Sequence, residues 1–124
     1  IAQQVPAEIE TVTVISDAQR GELFTASYRW DIDSGCRQRI DSVHLSTVAS
    51  LPREYPVVGP AVMKLRATLG DTYQLLDDSC CQPRAATVAR VGLDMIQRGQ
   101  LSVPETLEPV YIRPSYAEEK RIKP

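Results

Sequence analysis

Three kinds of hydrophobic pattern follow one another along the chain, and each predicts a different element. Residues 11–15, Thr11-Val12-Thr13-Val14-Ile15, are β-branched throughout and show no clearly polar face, which predicts a short strand at the centre of a sheet. Residues 17–21 supply turn chemistry. Residues 22–30 then alternate with period two, so that Phe24, Ala26, Tyr28 and Trp30 share one face and Leu23, Thr25, Ser27 and Arg29 the other. The two strands are expected to form a hairpin. Residues 31–35 make a second turn from Asp, Ser and Gly, and residues 37–40 follow as a more polar strand suited to a sheet edge.

Beyond the meander the period lengthens. Ser46 is placed to cap a short helix ending near Leu51, where Pro52 stops it. Residues 55–58 read as a short buried strand. Gly59-Pro60 then puts proline at the first position of a helix reaching Leu69, with Gly70 as its C-terminal cap. Residues 73–76 are expected to be another short strand. The clearest helix covers residues 83–98, where Ala85, Val88, Ala89, Gly92, Met95 and Ile96 recur at helical spacing and Gly99 ends it. Its apolar face is rich in small residues, suited to lying close against a sheet. Residues 1–8 lack periodicity and read as a linker or frayed entry. Residues 9–113 are expected to form one mixed α/β lobe of order βββ-α-β-α-β-α, and residues 114–124 a charged, flexible tail.

Composition narrows the function classes. A chain of 124 residues makes one domain and buries roughly two-thirds of its unfolded surface. The 43% hydrophobic and 24% charged residues are those of a soluble globular protein, and no apolar run approaches the ~20 residues that cross a bilayer. A cytoplasmic location is expected. The formal net charge of −2 argues against gripping nucleic acid through a broad basic surface. Cys36, Cys80 and Cys81 are odd in number and two are adjacent, which favours reduced thiols over a disulfide framework. Cys80-Cys81 lacks the spacer of a zinc knuckle and His44 is the lone histidine, so no metal site is expected. The chain begins at Ile1 with no leader pattern, and reads as a piece of a longer protein.

Few residues are candidates for chemistry. Asp17, Arg20 and Glu22 form a compact charged group at the first hairpin: a contact for a partner or nucleotide, or a turn organised by Asp17 with Arg20 paired to Glu22 in solvent. Gly59, opening a helix after a short strand, invites comparison with a phosphate cradle, although Pro60 removes one donor and no Lys-Ser/Thr follows. Tyr111 and Arg113 would share one face of an extended segment, as interface anchors or as a buried aliphatic stem at the lobe's edge. No catalytic residue is assigned. There is no second histidine, nucleophile elbow or Cys-His pairing, and Asp77-Asp78 reads as a solvated turn.

Residues 107–121, Leu-Glu-Pro-Val-Tyr-Ile-Arg-Pro-Ser-Tyr-Ala-Glu-Glu-Lys-Arg, bracket a β-prone segment with Pro109 and Pro114 and then turn charged. Together with Asp17-Ala18-Gln19-Arg20-Gly21-Glu22, this run resembles the C-terminal half of the TsaB family, also called YeaZ. The match is at the level of motifs. Gln19 intervenes in the family's Asp-Ala-Arg, and Leu23-Phe24 replaces its Val-Tyr. The resemblance implies one lobe of the actin, sugar kinase and Hsp70 (RNase H-like) superfamily, in which a five-stranded mixed sheet packs against helices. It also implies a non-catalytic scaffold that pairs with the TsaD-like catalytic subunit and the TsaE-like ATPase in threonylcarbamoylation of adenosine 37 of ANN-decoding tRNAs. No cofactor is then expected in this piece, ATP belongs to the full complex, tRNA is met only indirectly, and the full-length protein forms a homodimer. Two other readings remain open: a glycoprotease-type peptidase or kinase lobe of the same superfamily, and a stand-alone αβ binding module with its site at the Tyr111/Arg113 edge.

Overall fold

The structure is a computed structural model and describes residues 1–113, so the expected tail at 114–124 lies outside the described residues. Five strands, β1 (Thr11–Asp17), β2 (Leu23–Asp31), β3 (Cys36–Arg39), β4 (His44–Ser46) and β5 (Val57–Val58), join two helices, α1 (Pro60–Leu69) and α2 (Ala85–Gln97). The sheet runs β3-β2-β1-β5, with β4 also paired to β2. β1 pairs antiparallel with β2 and parallel with β5, which makes the sheet mixed. The β-branched run is thus interior to the sheet, as its two apolar faces require, and Val12, Thr13 and Ile15 are fully buried. The hairpin and the edge position of β3 follow the pattern of alternation.

The alternation of β2 hides which face is deeper. Thr25 and Ser27 are buried, whereas Phe24, Tyr28 and Trp30 are half-buried. The hydroxyl face can go inside because it satisfies itself: Thr13 Oγ1 and Ser27 Oγ lie 3.2 Å apart across β1 and β2, and Thr25 bonds Ser46 on β4. That second bond also explains a departure from expectation. Ser46 is engaged as a strand residue, so the predicted helix over 46–51 is replaced by β4 and a 3-10 turn at Val48–Ser50 whose N-terminus is held by Thr47.

Two further expectations change. Residues 73–76 form no strand but a single parallel bridge between Leu75 and Val57, because β5 is two residues long and offers no longer ladder. Residues 1–8 are no frayed linker: Ala2 and Val5 join the core, and the Gln3 carboxamide donates to Arg37 O at 2.8 Å and accepts from Arg37 N at 3.0 Å. One short turn leaves no period to read, so burial there was hidden.

α1 begins with Pro60 at its first turn, as expected, and packs Ala61, Val62 and Leu69 into the core beside Val57 and Val58. α2 matches its predicted span to within two residues and Gly99, at φ +70°, follows its end. It does not lie close against the sheet. None of its residues is buried, Val88, Leu93, Met95 and Ile96 are exposed, and an open space of about 420 Å³ is lined by Val14 and Tyr28 of the sheet together with Val88 and Val91. Among the described residues no helix is long and apolar enough to cross a membrane.

Candidate functional site

The β1–β2 turn is held in an unusual backbone state. Gln19, Arg20 and Gly21 adopt φ of +66°, +57° and +78° in succession, and only the glycine does so without a steric cost. Local bonds hold the turn. Asp17 Oδ1 accepts the Gln19 N–H at 2.8 Å, the Ala18 N–H donates to Glu22 O at 3.0 Å, and the Glu22 N–H donates to Gln19 O at 3.0 Å. The side chains of residues 19–22 are therefore presented on a preformed tip.

Two distant residues complete the cluster. Lys64 on α1 reaches Asp17 Oδ2 at 3.0 Å, and Arg113 returns to form an ion pair with Glu22. Asp17, Arg20, Glu22 and Lys64 line a cleft of about 310 Å³ whose floor is Leu23, Ala61 and Leu65. The structure therefore brings together four of the residues singled out in the sequence, Asp17, Arg20, Glu22 and Arg113, and adds Lys64. Glu22 pairs with Arg113 across a long stretch of chain.

Gly59 stands apart from this cluster. A Cβ there would come within 2.2 Å of Ile15 O, so the glycine is required by the close approach of the strand-to-helix turn to β1. Packing accounts for it without a phosphate. The strand expected to align Tyr111 and Arg113 does not form at residues 110–113; Tyr111 is 81% exposed, whereas the Arg113 side chain is 20% exposed against Glu22. Among the described residues no group of His, Cys, Asp and Glu could hold a metal ion.

The Gln19 backbone N–H, then Lys64, hold the Asp17 carboxyl below its ordinary value of 3.8. Asp31 is lowered by the Ser34 hydroxyl and the Asp33 N–H, and Asp77 by the Ser79 hydroxyl and N–H. Since the folded values are depressed, these groups favour the folded state above the unfolded value and lose that contribution as pH falls through the folded one. Stability is expected to decline as the pH is taken from neutrality to below 3.8. Asp17→Asn should show a shallower decline in urea titrations at matched pH values. A slope identical to wild type would show that the turn carboxylate is not coupled to folding.

No known family profile matches the sequence, and no curated protein does. The fold is shared with solved structures. It is similar to the crystal structure of an uncharacterized protein from Pseudomonas aeruginosa described as having similarity to the peptidase YeaZ, with a TM-score of 0.65 and 18% identity. The match covers 86% of this chain and 50% of that one, so the chain spans about half its length. The five-stranded mixed sheet with its two helices matches one lobe of a YeaZ-like structure.

Proposed function

We propose that this chain is the C-terminal lobe of a TsaB-like scaffold, a non-catalytic cytoplasmic protein that supports a TsaD-like subunit in threonylcarbamoylation of adenosine 37 of tRNA. The observation that carries the reading is the lobe-wide fold match, to which the sequence adds the Asp17 hairpin and the run at 107–121. A strained, preformed tip suits a docking contact, since it loses little further freedom on binding. In this reading the hairpin cluster of Asp17, Arg20, Glu22 and Arg113 is a contact surface, ATP enters with the TsaE-like ATPase in the full complex, and tRNA is met through the partner.

Val88, Leu93, Met95 and Ile96 are all exposed on the one helix α2, and apolar surface concentrated in this way supports a larger assembly, because another surface commonly covers it. The test uses the complete parent protein. It is expected to co-purify with its TsaD-like partner, whereas Val88→Glu in the 124-residue chain alone should change stability by no more than about 0.5 kcal/mol. Failure of the parent and partner to associate in any nucleotide state would sink the assignment, and peptide hydrolysis by the parent alone would replace it with the peptidase reading.

A further inference from the structure

A second cleft, of about 450 Å³, lies between α2 and the β2–β3 edge, away from the hairpin cluster. Its size falls in the range of small-molecule sites, about 300–1,000 Å³. Trp30, Cys36 and Arg37 line it from the sheet, and Arg90, Asp94 and Arg98 from the helix. Residues 90, 94 and 98 recur every fourth position and so share one face of α2 and its C-terminal cap, Arg98. Three arginines thus line the cleft against the one carboxylate of Asp94, with Asp31 acting on Arg98 from beside it, a local excess of positive charge on a chain whose net charge is −2.

Arg37 makes the excess unusual. It is 4% exposed, and its guanidinium donates to the carbonyls of Glu10, Pro6 and Ile9 at 3.1, 2.7 and 2.5 Å. Its Nε is buried with no acceptor, and none of the ion pairs among the described residues involves it. Its other charged-face neighbour is the Trp30 ring, 5.8 Å from the guanidinium carbon, which attracts a cation without neutralising it. A buried cation that meets only dipoles is costly, and an anion brought near it recovers part of that cost. Burial acts on the group in the same sense, lowering its proton affinity. Asp94 could have served as an internal counter-ion, yet no ion pair joins it to Arg37, Arg90 or Arg98 among the described residues. Arg90 has only a long bond of 3.4 Å to Gln3 O. Its remaining donors, and those of Arg98, are exposed, and a guanidinium fork matches the paired oxygens of a phosphate or carboxylate.

We propose that the cleft between α2 and the β2–β3 edge binds a small-molecule oxyanion, a phosphate or carboxylate, held by Arg90 and Arg98 above the buried cation of Arg37. This does not depend on the scaffold reading. The test is a titration of the ¹⁵N-labelled 124-residue chain with sodium phosphate and, separately, sodium succinate, at ionic strength held constant with sodium chloride. Saturating shifts are expected at the Arg37 Nε–H and at the backbone amides of Cys36 and Asp94, with one salt or both, and which salt saturates identifies the oxyanion. Arg90→Gln with Arg98→Gln should weaken that binding at least tenfold. Absence of saturation with either salt overturns the proposal, as does saturation that maps elsewhere or survives the double substitution. Should the double variant fail to fold, the location of the wild-type shifts decides alone.

Discussion

Gly59→Ala is expected to destabilise the chain by about 3 kcal/mol or more, a large share of the roughly 5–15 kcal/mol that is ordinary for a folded domain. Two independent costs add. The residue sits at φ +126° and ψ +171°, a backbone region essentially reserved for glycine, worth roughly 1–3 kcal/mol by itself. A methyl group there would also stand 2.2 Å from Ile15 O and 3.0 Å from Ile15 N. Those are backbone atoms of β1, whose partners β2 and β5 hold it on both sides, so they cannot retreat without breaking a ladder. Gly92→Ala is the internal control. Nothing lies within 4 Å of a Cβ at Gly92 in α2, and alanine in a helix gains roughly 0.5–1 kcal/mol over glycine. Urea unfolding midpoints should therefore move in opposite directions for the two variants. A Gly59→Ala unfolding free energy within about 1 kcal/mol of wild type would show that the strand-to-helix turn is looser than its geometry requires.

Which parts of this architecture the sequence reveals depends on how locally each is specified. The hairpin, the span of α1 and the span of α2 are legible because period, proline position and terminal glycine all act within a few residues. The hairpin's charged residues are legible for the same reason. Lys64 is not, nor is the pairing of Arg113 with Glu22: these side chains reach Asp17 and Glu22 across sequence separations of 47 and 91 residues. Lys64 arrives only because β5 pairs parallel with β1 and delivers the first turns of α1 beside the end of that strand. Residues 1–8 were opaque for another reason. Their anchors are Gln3 and Gln4 carboxamides bonded to backbone groups of residues 37, 82 and 84, and no hydrophobic pattern encodes such bonds. The apolar face of α2 is legible as a face, while its exposure is not, because an apolar stripe reads the same whether or not the rest of the chain covers it.

Arg37 presents the same difficulty in its sharpest form, and it leads to the other large expected effect. In the sequence it is one polar residue in an edge strand; in the fold it is a buried clamp on the entry segment. Arg37→Met keeps the aliphatic stem and its packing but removes the donors to the Glu10, Pro6 and Ile9 carbonyls. Two terms oppose each other. Losing a buried charge removes a desolvation cost, which for buried ionic groups can make apolar replacement neutral. Against this, three carbonyls lose their charged donor, each worth about 1–3 kcal/mol where water cannot replace it. The second term is expected to win, because three bonds to a charged donor are lost together and Ile9 O keeps no other donor among the described residues, whereas Pro6 O and Glu10 O retain the Ile9 and Trp30 N–H groups, and the net cost should be about 2–3 kcal/mol. The loss should be local first. Residues 1–10 would loosen, with faster amide exchange at Ile9, whose N–H bonds Pro6 O, while the β1–β2 ladder stays protected until global unfolding. Trp30, the single tryptophan, reports the event directly, since the guanidinium beside its ring is removed and its fluorescence should shift in the folded state. Gln3→Ala, which cuts both bonds to the Arg37 backbone, should cost about 1 kcal/mol alone and add less than its full cost to Arg37→Met, because both substitutions release the same segment. Full additivity, or an Arg37→Met variant as stable as wild type with unaltered exchange at residues 1–10, would show that the entry segment is held by Ala2 and Val5 in the core and not by the clamp.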